Sequence, residues 1–425
     1  MKRILSVILV MSMLLSCFLF ASCGAGEKEG GADAPVAKSD FKLGVICLHD
    51  EKSTYDKNFI DAVKKAQKEL GLKDEQIIFK KNIPETNACY DAAADLVDAG
   101  CNVVFANSFG HESFLLKAAK EFKDVQFCHA TGTMAHTEKL PNFHNAFAEI
   151  YEGRYLVGIA AGLKLKEMMD KDPTVVPKIG YVGAFTYAEV ISGYTSFYLG
   201  VKEIVPEVTM EVQFTGSWYD EIEEKNAANA LIQNGCVLIS QHADSMGAPT
   251  ACEEKGIPNI SYNISNAAAC PKTFIVASKI DWTPYFKLIC EKTMAGKGKE
   301  IPVDYTGTIE TGSVVLTEIN EKAAAAGTAK AIEEYKKQLV GNTRQVFEVK
   351  NFTATVTDEK NKNATTDAKG VVTSYMADVD TDAEFAADTE VVTKTGVLMF
   401  EESKYRSAPY FDLQIDGIKL LNAKF

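Results

Sequence analysis

The sequence predicts an α/β protein made of two doubly wound parallel sheets. Three observations carry this. Short apolar runs alternate with helix-periodic stretches from Phe41 onward, the rhythm of parallel strands whose crossover helices cover both faces of a sheet. The rhythm restarts after about Tyr151, so the architecture occurs twice without a close sequence repeat. The chain is too long for one small domain, and at roughly 150 residues each two are expected.

The elements follow in order. "KLGVICL" is a strand run, "DAVKKAQKEL" a helix, and "QIIFKK" the next strand. "CYDAAADLVDAG", "NVVFAN", "ESFLLKAAKEF" and "VQFCHA" complete the first series. The strand runs are short and rich in β-branched and aromatic residues, which fit a pleated surface. "YEGRYLVGIAAGLKLKEMM" opens the second series as a long helix, with Gly158, Ala160, Ala161 and Gly162 small enough for close packing on a sheet. "KIGYVGAF" is a strand, "EVISGYTSFYLGVKEI" a helix and "TMEVQF" a strand; "EEKNAANALIQNG" is a helix for which Gly235 suits the C-terminal cap. "CVLIS", "APTACEEKG", "PNISYN" and "TFIVASKI" continue the series. After Asp281 the order loosens. "WTPYFKLICEKTMAG" and "NEKAAAAGTAKAIEEYKKQL" read as helices, and past Val349 "VVTSYMADV" and "TGVLMFEE" read as strands among polar loops.

The first residues are read as a removable address. Lys2 and Arg3 precede an apolar run from Ile4 to Phe20, and "FASCG" follows. Small residues before a cysteine suit a lipoprotein signal peptidase, which makes Cys23 the lipidated N-terminus. The run is short for a spanning helix, which needs about 20 apolar residues. Residues 1–22 are thus a signal peptide, and the small, charged stretch 23–40 is a flexible tether.

Composition excludes some roles. Net charge is −13, which argues against nucleic acid, since phosphate contacts need clustered Lys and Arg. Beyond the signal region, Cys47, Cys89, Cys101, Cys128, Cys236, Cys252, Cys270 and Cys290 are scattered, with neither a C-x-x-C pair nor a metal-ligand spacing. Buried free thiols are expected, with disulfides left open in an exported protein. "DVDTDAEF" at Asp378 resembles the opening of a calcium loop, but Ala383 stands where the turn needs glycine and Thr389 where the bidentate glutamate belongs. A solvated acidic loop is the better reading, so neither metal nor cofactor is expected. G-x-S-x-G, H-E-x-x-H and dinucleotide fingerprints are missing. His242 and Asp244 share one face of a strand without a nucleophile, so the chain is read as a non-enzyme.

Ligands in open parallel sheets bind past the carboxyl ends of strands. Polar and aromatic residues gather there: Tyr55 and Asp56 after the first strand, Asn107 and Phe109 after "NVVFA", Phe185 after "IGYVGA". Trp218 follows "TMEVQF", Gln241 and Asp244 end "LISQHADS", Asn263 ends "NISYN", and Trp282 stands at a crossover. These ten are the candidate ligand-binding residues. Aromatic walls suit a planar ligand, and carboxylates and amides suit its N–H and O–H groups. Each aromatic has an alternative role as core cover. Asp244 is also a candidate helix cap, and His242 is read as structural. The set fits a purine or nucleoside better than a phosphorylated ligand, because no Gly-rich phosphate loop follows a strand.

"YEGRYLVGIAAG", "IGYVGAF", "GSWYD" and "SQHADS", with "NSFG" and "HATG" upstream, resemble the basic membrane lipoprotein family between about Phe41 and Lys287. These are substrate-binding lipoproteins of ABC transporters, related to purine nucleoside receptors. The resemblance implies a type I periplasmic binding protein, two lobes joined by a hinge around a cleft. One lobe would comprise residues 41–149 plus about 278–317. The other would comprise 150–277 plus about 318–425, with an extended C-terminal segment. It implies that Tyr55 stacks on the base, that Asp244 is the aspartate of the Gln-His-x-Asp-Ser motif, and that Trp282 is the tryptophan before Pro-Tyr. Family receptors often carry Ser-Phe-Asn where this chain has Thr54, Tyr55 and Asp56, which leaves nucleoside against free base, and adenine against guanine, open. The expected partners are a purine nucleoside or nucleobase, an ABC permease with its ATPase, and the outer face of a bacterial cytoplasmic membrane through the lipid anchor; a monomer is expected. A sensory or scaffold lipoprotein, or a receptor for another solute such as a sugar, is the alternative.

Overall fold

The computed structural model describes residues 35–380 and 386–423. The signal peptide, Cys23 and residues 381–385 of the acidic loop lie outside the described residues.

The first series runs β1 (Leu43–Ile46), α1 (Thr54–Leu70), β2 (Ile77–Lys80), α2 (Asn87–Asp98), β3 (Val103–Ala106), α3 (Glu112–Glu121), β4 (Gln126–Ala130), α4 (Ala135–Glu138) and β5 (Phe143–Ala148). The second runs α5 (Ile150–Lys171), β6 (Lys178–Gly183), α6 (Ala188–Ile204), β7 (Thr209–Phe214), α7 (Glu221–Gln233), β8 (Ile239–His242), α8 (Gly247–Lys255), β9 (Asn259–Tyr262) and β10 (Phe274–Ile280). Then follow α9 (Thr283–Met294), β11 (Asp304–Gly307), β12 (Val314–Leu316), α10 (Thr328–Val340), β13 (Ala364–Thr366), β14 (Val372–Ala377), β15 (Thr389–Glu390), β16 (Val392–Thr395), β17 (Val397–Phe400) and β18 (Ile418–Leu420).

These strands build two large sheets. The first has the order β11-β5-β4-β3-β1-β2 and is parallel throughout. The second has the order β12-β10-β9-β8-β6-β7-β18, parallel except for β12. The chain passes between the sheets at Ala148–Ile150, again between β10 and α9, which packs on α1, and again between β11 and β12. Strand residues are buried because helices cover both faces, which is why these strands read as continuous apolar runs. Local chemistry fixes the helix ends: the Asp56 N–H donates to Ser53 Oγ at the start of α1, and Gly71 ends it at φ 61°.

Three local expectations change. The small residues of α5 meet a helix as well as the sheet: a Cβ on Gly158 would lie 2.3 Å from the Phe197 carbonyl oxygen, and one on Gly200 would lie 2.2 Å from that of Tyr155. Backbones of α5 and α6 touch there. The alanine-rich stretch from Asn320 becomes helical only at Thr328, because Ala323 and Ala325 are buried in a turn and Gly327 takes φ 83°. Asp244 does not cap α8; the Ser245 hydroxyl accepts the Gly247 N–H instead, at 3.0 Å. The eight cysteines beyond the signal region are all buried and unpaired.

The C-terminal segment folds onto both halves. It contains a three-stranded antiparallel sheet, β13-β14-β15, and the hairpin β16-β17. Its core stacks Phe347 on Phe411 with centroids 4.3 Å apart, and Phe347 meets Tyr151 of α5 at 5.1 Å. Ser192 donates to Glu402 at 2.6 Å, while the Ser407 N–H donates to Asp304 of the first sheet at 2.7 Å. No helix of the described residues is long and apolar enough to cross a membrane.

Gly200→Ala must push α5 and α6 apart. Thermal and urea unfolding should show a loss of about 1–3 kcal/mol, the usual cost of overpacking; an unchanged midpoint would mean that the helices separate freely.

Candidate functional site

In each sheet the chain leaves a central strand to one side and returns on the other: β1 goes to β2 and then to β3, and β6 goes to β7 and then to β8. Flanking loops diverge at such a switch point and open a crevice. Here the two switch points face each other. The Thr54 N–H, at the start of α1, donates to the Asp244 carbonyl oxygen at 2.8 Å. Phe109 meets Tyr187 at 5.4 Å between centroids, and His49 meets Tyr219 at 5.5 Å.

Between them lies a narrow crevice with about 390 Å³ of empty space, counting space open to solvent. Its walls stand close together. Leu48, His49, Tyr55, Asp56, Ser108, Phe109 and Thr131 line one side, and Glu189, Trp218, His242, Asp244 and Tyr262 the other.

Asp56 is held by its neighbours. Oδ1 accepts the His49 N–H at 3.1 Å and Asn107 Nδ2 at 2.8 Å, and Oδ2 lies 3.4 Å from His49 Nδ1. Burial would raise its pKa, yet hydrogen bonds from His49, Asn107 and Ser53 hold the carboxyl below its ordinary value. Asp244 is the opposite case. It is 6% exposed, and its carboxyl has no hydrogen-bond partner among the described residues. Burial pushes it well above the carboxylate range, helped by Glu224, Asp56 and Glu189 and opposed by Arg154. Glu224 in turn fixes the loop: its carboxyl accepts the Ser245 N–H at 3.1 Å, and burial raises it to about 7.

Five of the ten expected residues line the crevice: Tyr55, Asp56, Phe109, Trp218 and Asp244. Tyr55 also donates to the Asn107 carbonyl oxygen at 2.7 Å, and Phe109 is 44% exposed. The other five stand behind. Asn107 is buried, accepting the Leu48 N–H at 3.1 Å and donating to Asp56, so it ties two strand ends together. Gln241 donates to the Ala243 and Ser245 carbonyl oxygens at 2.9 and 3.2 Å and shapes the Asp244 loop. Asn263 makes a left-handed turn at φ 68°, which asparagine tolerates. Phe185 supports the wall, stacked on Tyr187 at 5.1 Å and edge-on to Trp218 at 5.1 Å. Trp282 departs most: it is 1% exposed and stacks on Phe59 at 4.5 Å inside the first core.

Sequence reasoning misses Arg154 and Glu189. Arg154 is fully buried, donates to the Gln241 carbonyl oxygen at 2.9 Å, and lies 3.5 Å from the Tyr262 ring centroid. Its Nε and Nη2 have no partner among the described residues. A lone arginine inside "YEGRYLVGIAAG" was the available signal, since arginine is almost never fully buried without a charge to answer. Glu189 opens α6 and pairs with His242 at 3.2 Å. Burial, then Arg154, depresses His242 to about 4, so the ring is neutral at neutral pH. Among the described residues no cluster of His, Cys, Asp and Glu could hold a metal ion.

A family model described as Bmp, ABC transporter substrate-binding protein PnrA-like, matches residues 45–344. The chain is 32% identical over 265 residues to a purine-binding protein of Brucella abortus (strain 2308), covering 62% of this chain and 71% of that one. It is 29% identical over 246 residues to a putative ABC transporter glucose-binding protein of Haloferax volcanii, covering 58% and 57%. It is 22% identical over 264 residues to the ABC transporter nucleoside-binding protein BmpA of Lactococcus lactis subsp. cremoris, covering 60% and 69%. A solved solute-binding protein from Conexibacter woesei superposes with a TM-score of 0.59 at 20% identity, covering 72% of this chain and 98% of that one. That likeness shows the fold, a periplasmic-binding-protein arrangement of two α/β lobes.

The site's scaffold carries a pH signature. His129 Nε2 donates to the Ser108 carbonyl oxygen at 2.7 Å, and burial depresses this imidazole from 6.5 to about 4. The unfolded chain therefore binds the proton first, and stability that is full above pH 6.5 is lost as pH falls toward 4. In urea unfolding, the stability gap between wild type and His129→Gln should narrow by roughly 1–2 kcal/mol between pH 7.5 and pH 5. A constant gap would show that the folded ring titrates normally.

Proposed function

The chain belongs to the Bmp family of PnrA-like ABC transporter substrate-binding proteins, and from that premise we propose that it binds a purine nucleoside or nucleobase in the interlobe crevice. Such proteins work outside the cytoplasm and hand their solute to a membrane permease. The observation that carries the reading is the unpartnered Asp244 carboxyl set between aromatic rings. A buried carboxyl without a partner costs free energy, and a ligand that hydrogen-bonds to it removes that cost. Protonated, the carboxyl donates to a ring nitrogen; ionised, it accepts from a ring N–H. Tyr55, Phe109, Trp218 and Tyr262 offer faces and edges to a flat heterocycle, and stacking contributes roughly 1–3 kcal/mol per base. Lobe closure about the crossovers excludes water, which strengthens these bonds.

The names of the Brucella and Lactococcus relatives support a purine or nucleoside. That of the Haloferax relative favours a second reading, a sugar, which the Asp56, His49 and Glu189 groups would also bond. We further propose a monomer tethered to the outer face of the membrane through lipidated Cys23.

A thermal-shift screen of nucleosides, bases and sugars separates the two readings. Purines should raise Tm, and a response to hexoses alone would replace the purine by a sugar. Asp244→Ala should weaken purine binding at least about 10-fold by calorimetry, about 1.4 kcal/mol, and unaltered affinity would remove Asp244 from the site. Cys23→Ser should move the protein from the membrane fraction to the soluble one; retention on the membrane would rule out the anchor.

A further inference from the structure

The family match ends at residue 344, and the chain past it closes a pocket that shares no lining residue with the crevice. This pocket has about 1340 Å³ of empty space, counting that open to solvent. One wall is the crossover into the second lobe, with Glu149, Tyr151 and Glu152 at the start of α5. The C-terminal segment supplies another, with Glu348, Glu401 and Glu402. Five carboxyls thus face one space. Two of them are paired: Lys350 lies 2.6 Å from Glu348, and Lys404 lies 3.6 Å from Glu401. Arg344, which also lines the pocket, pairs with Glu203 at 2.9 Å. Glu149, Glu152 and Glu402 have no ion pair among the described residues. Burial, then Glu310 on a neighbouring crossover, raises Glu149 to about 7. Burial, then Glu149 and Glu310, raises Glu152 to about 8. Burial also lifts Glu402 to about 7, against hydrogen bonds from Ser192 and Ser403.

A second observation is independent of charge. Tyr151 is only 9% exposed, and its ring packs on Phe347 at 5.1 Å. Its hydroxyl has no hydrogen-bond partner among the described residues, and it stands among Glu149, Glu152 and Glu402. A buried phenol left unpaired is costly, as are carboxylates crowded without a counter-charge. One cationic ligand with N–H donors relieves both, because ammonium groups only donate and carboxylates only accept. Among the described residues no group of His, Cys, Asp and Glu could hold a metal ion, so the positive charge is wanted along the pocket rather than at one point. Val397 and Met399 add apolar surface to the same wall, against which methylenes can lie. We propose that this pocket is a second binding site, which takes an aliphatic di- or polyamine on Glu149, Glu152, Glu402 and Tyr151. The proposal does not depend on which solute the crevice takes.

Calorimetry on the full chain with putrescine and spermidine tests this, with calcium and magnesium chloride as separate arms. Saturable binding of one amine per chain is expected at pH 8.5. Ionised carboxyls hold the ligand and protonated ones do not, so affinity should fall at least about 10-fold between pH 8.5 and pH 6, as Glu149, Glu152 and Glu402 take up protons. Glu149→Gln and Glu152→Gln should each weaken the amine at least about 10-fold, while keeping or raising Tm because they remove repulsion. Tyr151→Phe should weaken it severalfold. Glu333→Gln, on the exposed face of α10, should leave it unchanged. No saturable heat from either amine would overturn the site. So would an affinity unmoved by all three pocket variants, or one lowered as much by Glu333→Gln, which would reduce it to diffuse attraction by the net charge. Binding of calcium or magnesium in place of both amines would overturn the ligand class.

Discussion

One backbone hydrogen bond organises this site. The N–H of Thr54 is among the donors that a helix cannot satisfy within itself, and it is satisfied by the Asp244 carbonyl oxygen of the opposite lobe, 2.8 Å away. The Asp244 N–H is already given to the Trp218 carbonyl oxygen at 2.9 Å. With both backbone groups committed, only its carboxyl is left to face the crevice. Gln241 and Glu224 brace the same loop from behind. The aromatic walls, the acidic floor and the width of the gap all follow from the lobes meeting at this point.

Charge is the second constraint. Asp56, Glu189, Glu224 and Asp244 crowd a small volume, and their burial would be expensive if all were ionised without relief. The molecule meets this in four ways. Asp56 is solvated by donors from its own lobe. Asp244 and Glu224 are pushed upward by burial, toward the neutral form. Arg154, buried under Tyr262, supplies positive potential from within α5. Neutral His242 adds a donor to Glu189 without adding charge.

Much of this was legible in the chain. The doubled strand–helix rhythm gives both sheets, because parallel strands covered on two faces must be continuous apolar runs. The rule that ligands sit past carboxyl ends of strands points to Tyr55, Asp56, Phe109, Trp218 and Asp244, which line the crevice. Asn107, Gln241 and Asn263 stand behind the crevice wall, because polar residues at strand ends also serve loops, and sequence does not tell which way an amide points. Trp282 lies in the first core, because a tryptophan at a crossover can turn inward onto Phe59 as readily as outward. Arg154 and Glu189 escaped because they sit on helices, where a single charge looks like solvent-facing surface. The path of the C-terminal segment was least legible: its pairing partners are remote, and short alternating strands carry no signal of what they will meet.

The pairing of β18 with β7 brings Phe214 and Asn422 together across 208 positions. During synthesis and export, β7 must therefore wait as an open sheet edge while the intervening polypeptide emerges. Unpaired edges invite association with other chains, and contacts so remote close late. The second lobe thus completes its hydrogen bonding only after the first has every strand, β11 included, in hand, and a chaperone shielding that margin would act on a late step of maturation.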